Sequence, residues 1–548
     1  SGDAARRVDG YLSRLVPYGF SGAVLIAKDS AIVLEKGYGL ADRAAGRPYT
    51  PDLVSCIGSV TKQFTGAAIV KLETEGKLLT SDPIAKYLPG VPADKAAITI
   101  HHLLTHTAGF SGDLGGSDEE PIARDALVAK VLAAPLASAP GARFEYSNEG
   151  YALAGAIIER VSGQGYEPYL REHLFLPAGM HDTGYLIPEW PLDRLPKGYG
   201  DDQTEWGRVY KRGWLPDGPG WYLRANGGIH SSLDDLYKWH LALESGKVLS
   251  KGATKKYLTG YVASLGGGER YAYGWGVRKT ARGTTVISHN GGNGFFFTDF
   301  RRYADEKVVI IAMSNQPVIS ATELAPGQIE SLFFGGAPVI TPPVAVSVPR
   351  ARRDAIAGTY ALANGATITL RATEAGLEAE SSDPFIFRAS TIRRASATLT
   401  DLEARTLSLV EEAAKGNYRP LFEAFDDERP FEVVQGNQTK YWAGWRAQYG
   451  EFQKAEVLGT GRAQGDPAVQ VRLRFARGGP ILQFVWGPRR LAGWRAMPGA
   501  EAVPLAAQSP DTWIYYSYRE PHLVQLSFTT DGSLVIARGD STITGRKS

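Results

Sequence analysis

Ser59-Val60-Thr61-Lys62 is the one Ser-x-x-Lys stretch in this chain of 548 residues, and it opens a segment whose apolar residues recur at helical spacing. Phe64, Ala68, Ile69 and Leu72 fall on one face as far as Glu75, and Gly76 supplies a stop. Three residues apart at a helix start, the Ser59 hydroxyl and the Lys62 amine share a face within one turn. A serine hydroxyl is a weak nucleophile until a neighbouring base takes its proton, and a lysine does this when burial or nearby positive charge lowers its pKa. The helix start also offers backbone N–H groups to a developing oxyanion, which makes the Ser59 N–H the first candidate donor.

Alone, such a short motif arises by chance, so the weight falls on two further segments. Tyr146-Ser147-Asn148 follows a Pro-Gly approach at 140–141 and precedes a helical pattern from Tyr151 to Ile158. Two cationic neighbours would lower the phenol of Tyr146 towards proton-shuttle range, and the Asn148 amide suits orienting Lys62 or holding a substrate amide. His289-Asn290-Gly291 ends a strand-like run from Thr284, and glycines 291, 292 and 294 permit close backbone approach by a substrate.

Ser-x-x-Lys, Tyr-x-Asn and His-x-Gly in this order resemble the three motifs of penicillin-recognising serine hydrolases, with spacing similar to class C β-lactamases and their D-aminopeptidase and esterase relatives. The segments Leu103–Gly109 and Gly227–Leu236 add to the likeness, which covers residues 10 to 335. The resemblance implies that Ser59 is acylated, that Lys62 and Tyr146 exchange protons, and that Asn148, His289 and Gly291 line the cleft. It also implies a second oxyanion N–H at Gly292. His106 is expected to support the cleft rather than act as base. His289 stands where many members carry lysine, so recognition of a substrate carboxylate is expected to be weaker.

Outward from the motifs, Val8, Leu12 and Leu15 predict an amphipathic first helix, and runs around Val24–Ile26 and Ile32–Leu34 predict a hairpin turning at Asp29-Ser30. Strands are expected at Tyr271–Val277, Thr284–Ser288, Gly294–Phe300 and Val308–Met313. Strands at both ends with helices between predict an α/β (α+β) domain over 1–335 whose ends meet in one antiparallel sheet. The loop-rich stretch Tyr185–Gly220 is expected to wall the cleft. Residues 336–350 read as a proline-rich linker, and 351–548 as a β-rich domain, with Asn364-Gly365 and Asp531-Gly532 as hairpin turns. This second domain resembles a lipocalin-like barrel interrupted at about 395–500 by an α+β, cone-like insertion.

Composition narrows the functional classes. Apolar residues at 43% and charged residues at 22% fit a folded globular chain, and a net charge of +2 without a basic run argues against nucleic acid. No run is long and apolar enough to span a bilayer as a helix. The single Cys56 allows no internal disulfide, and no Cys/His cluster has metal-ligand spacing, so neither metal nor cofactor is expected. The chain begins Ser1-Gly2, which reads as a removed leader or a cut tag; export to the periplasm or beyond is expected, with the cytoplasm left open. The expected partners are a small peptide, amide or ester substrate, and a homo-oligomer stays open. The leading expectation is a peptidase or amidase acting on D-residues. The alternatives are a carboxylesterase for short acyl esters, a weak β-lactamase, and a non-turnover penicillin-binding sensor.

Overall fold

The computed structural model describes residues 2–548 apart from 111–115, 201–203, 265–267, 318, 337–338, 364, 374–375, 384–385, 388–392, 395–398, 426–430, 464–465, 488–489, 498–501, 518–521 and 540. Two compact units divide between Pro343 and Val344, inside the proline-rich stretch.

In the first unit, helix α1 (Gly2–Leu15) buries Val8, Leu12 and Leu15. Strands β1 (Gly22–Lys28) and β2 (Ala31–Tyr38) follow as a hairpin with Lys28 opposite Ala31. Asp29 and Ser30 take φ of 49° and 62°, the left-handed pair that a two-residue turn requires. Helices α2 (Thr61–Thr74), α3 (Asn148–Ser162) and α4 (Leu233–Ser245) come next. The remaining sheet strands are β3 (Val262–Ala263), β4 (Arg270–Tyr271), β5 (Gly276–Lys279), β6 (Thr285–Gly292), β7 (Phe297–Tyr303) and β8 (Val308–Ser314). All eight pair antiparallel in the order β2-β1-β8-β7-β6-β5-β4-β3, so the first and last strands of this sheet in chain order pair with each other.

The expected single strand Tyr271–Val277 is two short strands. Gly274 turns there at φ 88°, and a Cβ on it would lie 2.6 Å from the carbonyl oxygen of Lys62. The break therefore lets the sheet pack against the start of α2. Strand β6 runs on past Ser288 through His289 to Gly292, which carries the third motif along the sheet rather than into a loop. Phe64, Ile69 and Leu72 of α2 sit in the same buried cluster as Leu25, Phe300 and Ile311 of the sheet.

The second unit holds a closed antiparallel barrel of β9 (Gly358–Leu362), β10 (Thr367–Ala372), β11 (Leu377–Ser381), β17 (Val503–Ser509), β18 (Thr512–Ser517), β19 (His522–Phe528), β20 (Leu534–Arg538) and β21 (Ser541–Lys547). Ile368, Leu370, Leu377, Trp513, Val524 and Leu526 belong to its buried core. Gly365 turns the β9–β10 hairpin at φ 81°, whereas Asn364 of that expected turn lies outside the described residues.

Between β11 and β17 the chain forms a separate sheet with its own core: β12 (Arg393–Arg394), β13 (Phe452–Ala463), β14 (Asp466–Phe475), β15 (Ile481–Trp486) and β16 (Leu491–Met497). Helices α5 (Asp401–Ala414), α6 (Arg419–Ala424) and α7 (Phe431–Tyr449) contribute to that core. Sequence reasoning missed α7. Its residues have weak apolar sidedness, and Gly436 and Gly444 interrupt it, so its helical state rests on packing.

Ile311 is fully buried in β8 between Leu25 and Phe300. Ile311→Ala is expected to destabilise the first unit by about 2–5 kcal/mol, read as a lower denaturation midpoint of the full chain. A loss under about 1 kcal/mol would show that this site is not close-packed.

Candidate active site

Gly58–Val60 form a 3-10 turn leading into α2, which places Ser59 at the helix start. Gly58 has φ 51°, and a Cβ there would lie 2.5 Å from the backbone nitrogen of Gly292. A Cβ on Gly291 would in turn lie 2.6 Å from the nitrogen of Ser59 and 2.1 Å from the oxygen of Ile57. Only glycine at both positions permits this contact. It brings the backbone at Ser59 into direct contact with the backbone at Gly291 and Gly292.

Lys62 is completely buried. Its Nζ lies 3.0 Å from Ser59 Oγ, 2.8 Å from Asn148 Oδ1 and 2.9 Å from the backbone oxygen of Asn226. Burial lowers its pKa to about 7, against the opposing pull of Asp118 and Glu149. A neutral amine has two N–H groups and one lone pair. Asn148 and Asn226 accept the two hydrogens, and the lone pair is left facing the Ser59 hydroxyl. The amine is thus set to accept the serine proton near neutral pH.

Tyr146 is set beside this pair. Its hydroxyl hydrogen-bonds with Ser59, and its ring centroid is 4.9 Å from Lys62 Nζ. The expectation of a lowered phenol pKa is overturned: burial raises it, and the bond to Ser59 offsets this only in part. Of the basic groups beside it, His289 is neutral and Lys62 loses its proton near pH 7, so Tyr146 rests as a protonated phenol. Ser147 caps α3 by accepting from the Gly150 N–H at 3.1 Å, which fixes Tyr146 on one side and Asn148 on the other.

His106 does not face Ser59 as a base. The Ser147 N–H donates to its Nδ1 at 3.0 Å, and its ring lies 4.2 Å from that of Tyr146. Burial, then Lys62 and His289, push its pKa well below the usual histidine range. It is a neutral wedge behind the tyrosine.

His289 lies on β6, 9% exposed. Its Nδ1 is 2.5 Å from the Asn290 carbonyl and its Nε2 is 2.8 Å from Tyr271 Oη. With Nδ1–H donating to that carbonyl, Nε2 accepts from the tyrosine, and the ring is neutral. Burial first, and Lys62 second, depress its pKa to about 3. Both ring nitrogens are occupied and neither carries a charge for a substrate carboxylate.

Three participants left no motif in the sequence. Asn226 acts through its backbone oxygen, for which residue type gives no signal, and Tyr271 is one of many tyrosines at a strand end. Asp118 lies in a segment tied to the loop at 212–222: Glu119 pairs with Arg212 at 3.0 Å, and the Trp221 N–H donates to the Ile122 oxygen at 3.0 Å. Asp118 is exposed as a residue, yet desolvation at its carboxyl raises its pKa, with the Lys62 charge opposing this. It has no ion-pair partner among the described residues. Within the expected wall at 185–220, Trp206 stacks on Phe295 at 4.3 Å. Cys56 is buried and its thiol is pushed up to about 12, which leaves it inert. No group of His, Cys, Asp or Glu among the described residues has the placement of a metal site.

The sequence model described as Beta-lactamase matches residues 9–330. The chain belongs to the beta-lactamase family. This family has serine hydrolases among its members, and the three motif residues Ser59, Lys62 and Tyr146 all fall inside the match. PbpX of Bacillus subtilis (strain 168), named for penicillin binding, is 34% identical over 257 residues, covering 47% of this chain and 62% of its own. Esterase EstB of Burkholderia gladioli is 30% identical over 254 residues, covering 40% of this chain and 64% of its own. The chain therefore spans less than two thirds of either of these relatives. The octameric penicillin-binding protein homologue of Pyrococcus abyssi has a similar fold, with a TM-score of 0.53 at 20% identity over 98% of both chains.

With a folded pKa of about 7 for Lys62, hydrolysis should rise with pH through about 7 as the amine loses its proton. The unfolded amine titrates near ~10.4, so below that pH the unfolded state binds the extra proton. Burial of Lys62 therefore costs stability most fully below about pH 7, and the cost fades as pH rises through the unfolded pKa. Lys62→Met should lose turnover yet raise the melting temperature at pH 6.5, with the gain shrinking by pH 10. A gain that does not vary with pH would contradict a neutral buried amine.

Proposed function

We propose that this chain is a serine hydrolase working through a Ser59 acyl-enzyme on small peptides or amides whose acyl part carries a free amino group, D-residues foremost. The observation that carries the reading is the Lys62 amine held 3.0 Å from Ser59 Oγ with its other hydrogen-bonding directions taken by Asn148 and Asn226. In this mechanism Ser59 Oγ attacks the carbonyl carbon as Lys62 Nζ takes its proton. The oxyanion is held by the Ser59 and Gly292 N–H groups. Tyr146 passes a proton to the leaving nitrogen, its own phenol being restored from Lys62, and the C–N bond breaks. Water then attacks the ester by the same route and frees Ser59.

Two features support the substrate class. His289 is neutral with both nitrogens engaged, so the third motif offers no cation to a carboxylate, which argues against efficient β-lactam hydrolysis. Asp118, an acid without an ion-pair partner among the described residues and within electrostatic reach of Lys62, is the group this reading assigns to a substrate ammonium. The D-configuration rests on the resemblance alone. In the same reading the second unit is a lipocalin-like barrel with a cone-like insertion, and the octameric Pyrococcus homologue supports assembly into a homo-oligomer.

Ser59→Ala should abolish covalent labelling by a fluorophosphonate or penicillin probe while the fold persists, and continued labelling would refute the nucleophile. Asp118→Asn should raise KM for D-alanine p-nitroanilide about tenfold and leave its N-acetyl derivative unchanged. Equal effects on both compounds would remove Asp118 from amine recognition. The second reading, an esterase, is favoured by the likeness to EstB. A large kcat/KM preference for p-nitrophenyl butyrate over the anilide would select it.

A further inference from the structure

Asn226 serves the Lys62 amine through a backbone oxygen, so the placement of that oxygen depends on what holds the chain around it. The chain there turns tightly: the Arg224 N–H donates to the Gly220 oxygen at 3.0 Å, and the Gly227 N–H to the Leu223 oxygen at 2.9 Å. Successive carbonyls in such a turn point the same way, and those at its end lack a partner within it. Ala225 and Asn226, both buried, carry two of these end carbonyls.

Both carbonyls are met by α2. Lys62 Nζ donates to the Asn226 oxygen at 2.9 Å, and Thr65 Oγ1, three residues on along the same face, donates to the Ala225 oxygen at 2.6 Å. A threonine inside a helix commonly turns its hydroxyl back onto a carbonyl of the preceding turn. The completely buried hydroxyl of Thr65 reaches outward instead. Its one hydrogen goes to Ala225, so it accepts from the Tyr166 hydroxyl at 2.5 Å. Tyr166, 1% exposed, opens the short helix Tyr166–Leu170. A chain of hydrogen bonds from Tyr166 through Thr65 thus ends one peptide short of the oxygen that orients Lys62. The Asn226 amide steadies the other side of that peptide, donating to the Tyr222 oxygen at 2.8 Å and reaching the Asn148 oxygen at 3.4 Å.

We propose that Thr65, held by Tyr166, is a positioning residue for the proton transfer, fixing the Ala225–Asn226 peptide so that the lone pair of Lys62 stays on Ser59. The inference rests on the reading of Lys62 as the base. An ammonium at Lys62 offers three N–H groups to Ser59, Asn148 and Asn226, whereas the neutral amine offers two. Bonds from a charged donor are about twice as strong as neutral ones. Withdrawing the Asn226 oxygen therefore penalises the ammonium more and lowers the midpoint at which Lys62 titrates. The other groups that face the amine are Tyr146, Tyr151, Asp118, Glu149, His106 and His289, and a change at Thr65 alters the identity of none of them.

The test is Thr65→Val in the full chain, which keeps the shape and removes the hydroxyl. NMR titration of protein with 15N-labelled lysine should place the Lys62 midpoint about half a pH unit or more below that of wild type, and fluorophosphonate labelling of Ser59 should slow about tenfold. Thr65→Ser, which keeps the hydroxyl, should restore both. Tyr166→Phe, which removes only the outer hold, should move both in the same direction by less, and it decides the matter if Thr65→Val does not fold. An unchanged or raised midpoint would overturn the inference, and so would slower labelling without a shift in midpoint, the mark of a merely structural role. Absence of labelling in wild type would overturn the hydrolase reading and the role of Thr65 with it, whereas an unchanged midpoint in protein that labels at Ser59 overturns the role of Thr65 alone.

Discussion

The burial of one amine organises the first unit. Lys62 has no exposed surface, and its Nζ is held between Asn148 Oδ1 and the Asn226 oxygen. Removing an ammonium from water is strongly unfavourable, and the group responds by losing its proton. The fold spends stability to keep a base available beside Ser59, and several elements share in that arrangement. α2 supplies the serine and the lysine, the start of α3 supplies Asn148, and the loop before Gly227 supplies a backbone oxygen.

Glycines set the tolerance of the site as firmly as the charged groups do. Gly274 and Gly291 stand where a Cβ would press on the backbone around Lys62 and Ser59, and Gly58 where one would press on the backbone of Gly291 and Gly292. The sheet consequently meets the helix start backbone to backbone. In the proposed mechanism reactivity comes from preorganised neutral dipoles and a neutral amine, and the third motif carries the uncharged His289–Tyr271 pair.

Much of the first unit was legible because its signals are local. The Asp29-Ser30 turn, the helical spacing after Ser59 and the three short motifs each depend on neighbouring residues. Asn226, Tyr271 and Asp118 escaped because their parts are set by tertiary position: a carbonyl has no sequence signature, and a tyrosine at a strand end resembles any other. The phenol of Tyr146 was misjudged for a related reason. Sequence places cations near it, while burial decides whether those groups are charged at all. In the second unit α7 escaped because its helical state depends on packing rather than on sidedness.

The central claim is that Lys62 is a neutral base near physiological pH, and NMR titration of its Nζ in protein with 15N-labelled lysine measures this directly. The account predicts a resonance that titrates with a midpoint about 7, shifted by acylation of Ser59. An amine that keeps its proton until about pH 10, the range of a solvated lysine, would contradict it.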